Sequence, residues 1–115
     1  MNIKHFLFLL VFTAFAYFTK AQKIYKVNYE SQADLKVYIV KYESQCDLMV
    51  YWVNYESQAS RHGLWYPVKY ESQADLKVYF VEYESQADLK IYEVNYESQA
   101  GWKNQNKSHL LRFKK

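Results

Sequence analysis

Short segments in which apolar and polar residues alternate recur along the chain, and each is joined to the next by the same polar box. The repeating unit reads Tyr-Glu-Ser-Gln-Ala-Asp-Leu-Lys-Val-Tyr-x-Val-x, and residues 29–41 form one complete copy. Alternation places Leu35, Val37 and Ile39 on one face of an extended segment. The residues of the other face are Lys36, Tyr38, Val40 and Tyr42. Both faces are largely apolar, which predicts a β-sheet that is covered on both sides.

These segments are rich in β-branched and aromatic residues, which favour strands over helices. The strands are predicted at about 23–28, 35–41, 48–54, 64–69, 76–82 and 89–95, and a seventh is predicted near Leu110–Phe113. The predicted fold class is therefore mainly β, built from tandem 13-residue strand-turn repeats.

The polar boxes are predicted to be connectors that form one helical or 3-10 turn, or a type I turn. Ser31 and Asp34 have the spacing of a capping box, in which the serine would cap a backbone N–H near Asp34. Asp34 is also expected to form a salt link with Lys36. The residues predicted to act as turn and cap devices are Ser31, Asp34, Ser44, Asp47, Ser57, Ser72, Asp75, Ser85, Asp88 and Ser98.

The boxes divide the chain into two similar halves. They start at Tyr29, Tyr42, Tyr55, Tyr70, Tyr83 and Tyr96, and the third unit is two residues longer than the others. A shift of 41 residues lays the first three boxes on the last three, with Tyr29 on Tyr70. Repetition at a fixed period is typical of a repeat architecture, here with two pseudo-symmetric halves.

The first 21 residues have the layout of a secretory signal peptide. Lys4 and His5 precede an apolar run over residues 6–18, and Ala21 ends a short stretch with small residues suited to cleavage. The run is too short to span a bilayer, although an uncleaved anchor or a buried helix is the alternative. We therefore expect export to the periplasm, the cell surface or the medium. Residues 22–115 are then a single domain that ends in a short basic tail, with no transmembrane segment after cleavage.

The net charge and the cysteine content limit the classes of protein to which this chain can belong. Without Lys4 and Lys20 the mature net charge falls to about +1, and no basic stripe typical of a nucleic-acid-binding protein is present. Cys46 is the single cysteine, so the chain has no internal disulfide. It stands where other units carry alanine, and a small buried position is its simplest interpretation. A reactive thiol that links two chains is the alternative to a monomer.

The sequence predicts no enzyme, metal site or cofactor. A serine nucleophile needs a base such as histidine, and only His62 and His109 follow the predicted cleavage site. Six nearly identical boxes indicate structure, because a catalytic residue needs a unique environment. The acidic pairs, such as Glu30 with Asp34, offer too few ligands for calcium, and the histidines and Cys46 lack the spacing of a zinc site.

One position of the unit varies in chemistry. It holds Lys26, Ile39, Trp52, Pro67, Phe80 and Glu93. If that position is exposed, Trp52 and Phe80, together with Trp65, would form a stacking surface for a sugar or a protein partner. The alternative is that the tryptophans fill the core of the domain.

The repeated YESQADLKVY units, the central segment Gly63–Tyr66 and the closing segment Ala100–Asn104 resemble the septoil-knot family of small repeat proteins. The resemblance covers essentially all of residues 22–115. It implies a compact, mostly β, knotted monomer, and it carries no biochemical role or catalytic residues. The chain departs from the pattern at Cys46, Met49 and Ser60.

These observations favour an exported, non-enzymatic protein that serves as a robust structural or envelope domain. The alternative is a binding module for a glycan or a protein partner that uses the aromatic face of Trp52, Trp65 and Phe80.

Overall fold

The computed structural model describes residues 22–111, and the predicted signal peptide lies outside them. Seven strands lie in this part of the chain: β1 (Lys23–Lys26), β2 (Leu35–Ile39), β3 (Leu48–Trp52), β4 (Leu64–Pro67), β5 (Leu76–Phe80), β6 (Leu89–Glu93) and β7 (Gly101–Trp102). Each box is a single 3-10 turn: η1 (Glu30–Gln32), η2 (Glu43–Gln45), η3 (Glu56–Gln58), η4 (Glu71–Gln73), η5 (Glu84–Gln86) and η6 (Glu97–Gln99). A longer 3-10 segment, η7 (Gln105–Leu111), follows β7.

The mainly β prediction is confirmed, and all six main strands were placed correctly. Each ends two residues before its predicted end, because the chain bends toward the next box there. The seventh predicted strand, near Leu110–Phe113, is wrong: Leu110 and Leu111 belong to η7, and residues 112–113 lie outside the described part. Within residues 22–111 no helix is long and apolar enough to cross a lipid bilayer.

Six strands form a closed barrel in the order β4-β1-β5-β2-β6-β3, and closure comes from the pairing of β3 with β4. All six junctions are parallel. Strands of the two halves therefore alternate around the barrel, so a shift of 41 residues moves each strand to its neighbour. All six junctions of the barrel join a strand of one half to a strand of the other, so each half depends on the other for every hydrogen-bonded edge of its main strands.

Every strand is displaced by two residues relative to the next one. Leu35 lies beside Val78 on one side of β2, whereas Val37 lies beside Leu89 on the other. A constant stagger of this size tilts the strands strongly against the barrel axis. It also keeps equivalent positions of all six strands at the same height, so that inward side chains form successive layers.

Two of these layers make the barrel core. The first contains Leu35, Leu48, Leu76 and Leu89 together with Gln22, and the second contains Ile24, Val37, Val50, Trp65, Val78 and Ile91. All of these residues are buried. Period-two alternation thus places the leucine and valine of each unit inside, as the sequence pattern predicts.

The outer face of the barrel is covered by the boxes. Each connector passes over the strand that it skips, so η1 lies on β5, η2 on β6, η4 on β1 and η5 on β2. The strand tyrosines, such as Tyr38, are half-buried beneath this cover, whereas the six box tyrosines are 64–68% exposed. The prediction of a sheet covered on both sides is consistent with this arrangement.

None of the box serines caps its turn in the described part of the chain, so the predicted capping role of Ser31 and its equivalents is wrong. The N-cap residue of η1 is Tyr29, and the Gln32 N–H donates to its carbonyl oxygen at 3.0 Å. Ser31 lies inside the turn and is exposed. The five other turns also begin after a tyrosine. In η3 the Gln58 side chain reaches back, and its Oε1 accepts the backbone N–H of Tyr55 at 3.1 Å.

The box aspartates instead bind the neighbouring strand. The backbone N–H of Asp34 donates to the carbonyl oxygen of Lys77 at 2.7 Å, and its Oδ2 accepts the backbone N–H of Lys77 at 2.9 Å. We call this two-bond arrangement an aspartate clamp. It joins residues 43 positions apart, which is why the proposed Asp34–Lys36 salt link is wrong; Lys36 Nζ lies 3.4 Å from Glu30 Oε2 instead.

Four of the six junctions carry the clamp, formed by Asp34 with Lys77, Asp47 with Lys90, Asp75 with Lys23, and Asp88 with Lys36. At the junction between β3 and β4 both partners are replaced. Ser60 stands where other units carry aspartate, and Met49 stands where others carry lysine. Met49 pairs with Gly101 of β7 instead, so the two departures from the repeat have one structural reason.

Asp47 makes the most extensive clamp. Its Oδ1 accepts the Asn104 side-chain amide at 3.2 Å, and its carbonyl oxygen accepts the N–H groups of Lys103 and Asn104. The residue is 5% exposed. It therefore joins three parts of the fold: β3, β6 and the segment after β7.

We predict that Asp47→Ala lowers the free energy of unfolding by about 2–3 kcal/mol, because two hydrogen bonds to a carboxylate are lost and the Lys90 N–H loses its acceptor. Ser44→Ala in the same box is the matched control and should change it by less than about 0.5 kcal/mol. Urea unfolding followed by tryptophan fluorescence measures both. Equal losses in the two variants would contradict the clamp and restore the serine cap.

Candidate functional site at the barrel mouth

The position that varies between units forms a ring at one mouth of the barrel. It is the last residue of each main strand: Lys26, Ile39, Trp52, Pro67, Phe80 and Glu93. Because the strands are parallel, all six residues lie at the same end. Alternation directs them to the same side as the two buried layers, so they form a third layer that meets solvent. We call this ring the rim.

Neighbouring rim residues contact one another in pairs of different chemistry. Trp52 Nε1 donates a hydrogen bond to Glu93 Oε2 at 2.8 Å, across the β3–β6 junction. Lys26 Nζ lies 5.7 Å from the centre of the Phe80 ring, within the range of a cation–π contact. The rim therefore combines two fixed aromatic rings with one cation and one anion.

Trp52 and Phe80 are half-buried on the rim and pack against the barrel core, so each ring keeps part of its surface in solvent. Trp65 is 0% exposed and cannot contact a partner, so its predicted part in a stacking surface is wrong. It lies one layer deeper and meets Trp52 edge to face, with ring centres 5.5 Å apart. Its role is to support Trp52 from below.

The pattern of the unit pointed to this site, but it did not identify all of its members. Lys26 and Glu93 were recognised only as occupants of the variable position. Their neighbours Phe80 and Trp52 become visible only when strands 41 or more residues apart are placed side by side. The signal available in the sequence was that one position of the repeat changes its chemistry while its neighbours do not.

The opposite mouth is closed by the end of the chain. Leu110 and Leu111 of η7 pack on the main core, and Leu111 is buried. Lys107 Nζ donates to the carbonyl oxygen of Asp88 at 3.0 Å, next to the start of β6. The two mouths therefore differ, because one is covered by apolar side chains and the other carries the rim.

The longer middle part of the third unit stabilises the region where the pairing of β3 with β4 closes the barrel. Arg61 donates to the carbonyl oxygens of Ala100 (2.7 Å) and Glu97 (3.0 Å). Trp102 Nε1 donates to His62 Nδ1 at 2.6 Å. Gly63 has a φ of +94°, and a side chain there would meet the carbonyl oxygen of Met49 at 2.8 Å. This unit therefore serves barrel closure.

The two acidic residues of a box interact with different partners. Asp34 binds the backbone of the adjacent strand, whereas Glu30 pairs with a lysine side chain. Equivalent lysine–glutamate pairs join Lys77 to Glu71 and Lys90 to Glu84, at the protein surface. Among residues 22–111 no group of three or more His, Cys, Asp or Glu side chains is placed to hold a metal ion.

Cys46 is a free cysteine that is 6% exposed. Burial raises the pKa of its thiol above the ordinary value, and the charge of Lys103 opposes part of this increase. A buried thiol that resists ionisation is a weak nucleophile. The position is consistent with a small apolar slot, and a dimer linked through Cys46 stays a prediction.

A search of curated proteins gave no significant match. The chain matches the 7(1) septoil knot domain family over residues 21–103, which includes all seven strands and six boxes. The alternation of the two halves around one closed barrel fits that description, and the knot itself stays a prediction from the resemblance. On this match, the chain belongs to the 7(1) septoil knot domain family.

Proposed function

We propose that the protein is an exported, non-enzymatic domain whose role in the cell envelope or the medium depends on resistance to unfolding and proteolysis. The observation that carries the proposal is the alternation of the two halves in one closed barrel. A main strand can leave the barrel only by breaking both of its junctions. Such a fold is expected to open rarely, which is the basis of kinetic stability.

The pattern of exposed groups supports the same role. Most of the buried hydrophobic residues belong either to one main core or to a smaller cluster made of Val53, Ala59, Leu64 and Ala100. The outer surface carries the boxes, with their polar residues and exposed tyrosines, and the surface ion pairs. The predicted signal peptide supports export, because it would carry this domain out of the cytoplasm.

We predict that the native exported protein survives a broad-specificity protease for hours under conditions that degrade the urea-unfolded chain within minutes. The triple variant Asp34→Ala, Asp75→Ala and Asp88→Ala should be cut at least about a hundredfold faster, because each clamp contributes about 1 kcal/mol to the free energy of opening. Ser31→Ala, Ser72→Ala and Ser85→Ala form the matched control and should behave as the parent protein. Digestion of the parent within minutes would refute the proposal.

A second function, binding of a glycan or a protein partner, is favoured by the rim. Trp52 and Phe80 are partly exposed aromatic residues on a rigid ring that varies within an otherwise repetitive chain. Trp52 is held in place by Glu93 and by Trp65, so its exposed edge is oriented before any ligand arrives. Preorganised aromatic surfaces of this kind are typical of binding sites.

We predict that soluble chito-oligosaccharides, used as the glycan probe, shift the NMR signal of the Trp52 indole N–H and leave that of Trp102 unchanged. Phe80→Ala should weaken the response at least about tenfold if one stacking contact worth roughly 1.4 kcal/mol is lost. Tyr83→Ala, which removes an exposed box tyrosine, is the control. A response that is absent, or that survives in Phe80→Ala, would exclude this glycan from the rim.

A further inference from the structure

Gln22 occupies an unusual position for a residue next to a predicted cleavage site. It is 2% exposed and lies in the first layer of the barrel, beside Trp65 on β4. Its backbone N–H donates to the carbonyl oxygen of Ala59 at 3.2 Å, and its own carbonyl oxygen accepts the Tyr66 N–H at 3.0 Å. The backbone of this residue is therefore part of the hydrogen-bonded barrel.

The polar atoms of its side chain are less completely hydrogen-bonded than its backbone. Gln22 Oε1 is buried without a hydrogen-bond partner among the described residues, and Trp65 Nε1 is the other buried polar atom in that state. Leucine fills the equivalent layer position in four other strands. An amide at this place adds polar atoms to an apolar layer, which is costly for packing alone.

Signal cleavage after Ala21 would turn the backbone nitrogen of Gln22 into a terminal ammonium group. That group has three N–H donors, whereas Ala59 provides one acceptor at this position. The carboxylate of the adjacent clamp, Asp75, already accepts the Lys23 N–H at 3.0 Å. A buried charge without a dedicated partner destabilises the folded state, so a neutral chain start fits this site better.

We propose that Gln22 of the exported protein is converted to N-terminal pyroglutamate, and this inference depends on the export proposal above. The free α-amino nitrogen attacks Cδ of the Gln22 side chain, a Cδ–N bond forms, and the Cδ–NH₂ bond breaks with release of ammonia. No oxidant or reductant takes part. The product is neutral and retains one N–H, which matches the single acceptor offered by Ala59.

The first test is the intact mass of the full-length protein recovered from the exported fraction. We expect a chain that starts at residue 22 and is lighter by one ammonia than the unmodified sequence. A chain that starts at residue 22 with its free amine would overturn the inference while leaving export standing. A chain in that fraction that retains residues 1–21 would contradict cleavage after Ala21, and with it the premise of the modification, whereas absence of the protein from the fraction would contradict export.

The second test asks whether the fold prefers the cyclic form. Freshly exported protein with a free Gln22 amine, from a host without glutaminyl cyclase, is compared with the same protein after it has been unfolded, treated with that enzyme during refolding, and recovered. We expect the cyclic form to melt at least about 4 °C higher, because a buried charge is removed. The control carries one extra alanine before Gln22, cannot cyclise, and should not respond to the enzyme. Equal melting temperatures of the free and cyclic forms would overturn the structural argument.

Discussion

The aspartate clamp is the interaction on which the rest of the structure depends. A box aspartate uses its backbone N–H and its carboxylate to bind both backbone groups of one lysine on the neighbouring strand, as Asp88 does with Lys36. The contact fixes the register at the point where a strand begins. Because a slip of one residue would reverse every inward and outward side chain, this contact also fixes the layers of the core.

The three layers of the barrel differ in how much their residues vary. The first two are apolar and almost uniform, so they determine how the strands pack. The third lies at the open mouth, where solvent tolerates residues as different as Lys26 and Phe80. The fold therefore provides a rigid frame with one ring whose chemistry is free to change, and any specific recognition by this protein is expected to lie there.

The sequence predicted the strands and the boxes well, because both depend on local alternation and turn-forming residues. Prediction from the sequence failed for residues whose interaction partners are distant along the chain. The acceptor role of Asp34 requires Lys77, 43 residues away, and the burial of Trp65 requires the barrel to close around it. The Ser31–Asp34 spacing fits a capping box, but Asp34 meets a better acceptor and donor on the next strand. The sequence showed the rim residues as one variable position of the repeat, but their arrangement in a ring could be predicted only with the order of the strands in the barrel.

Native-state hydrogen exchange tests the central claim, that the two alternating halves form one cooperative barrel. The valine N–H that follows each strand donates to the adjacent strand, as Val40 does to Ile91 and Val81 does to Val37. We expect these amides in both halves to exchange with the same free energy, equal to that of global unfolding. Exchange of one half through a separate, less costly opening would contradict it, because neither half has a complete sheet without the other.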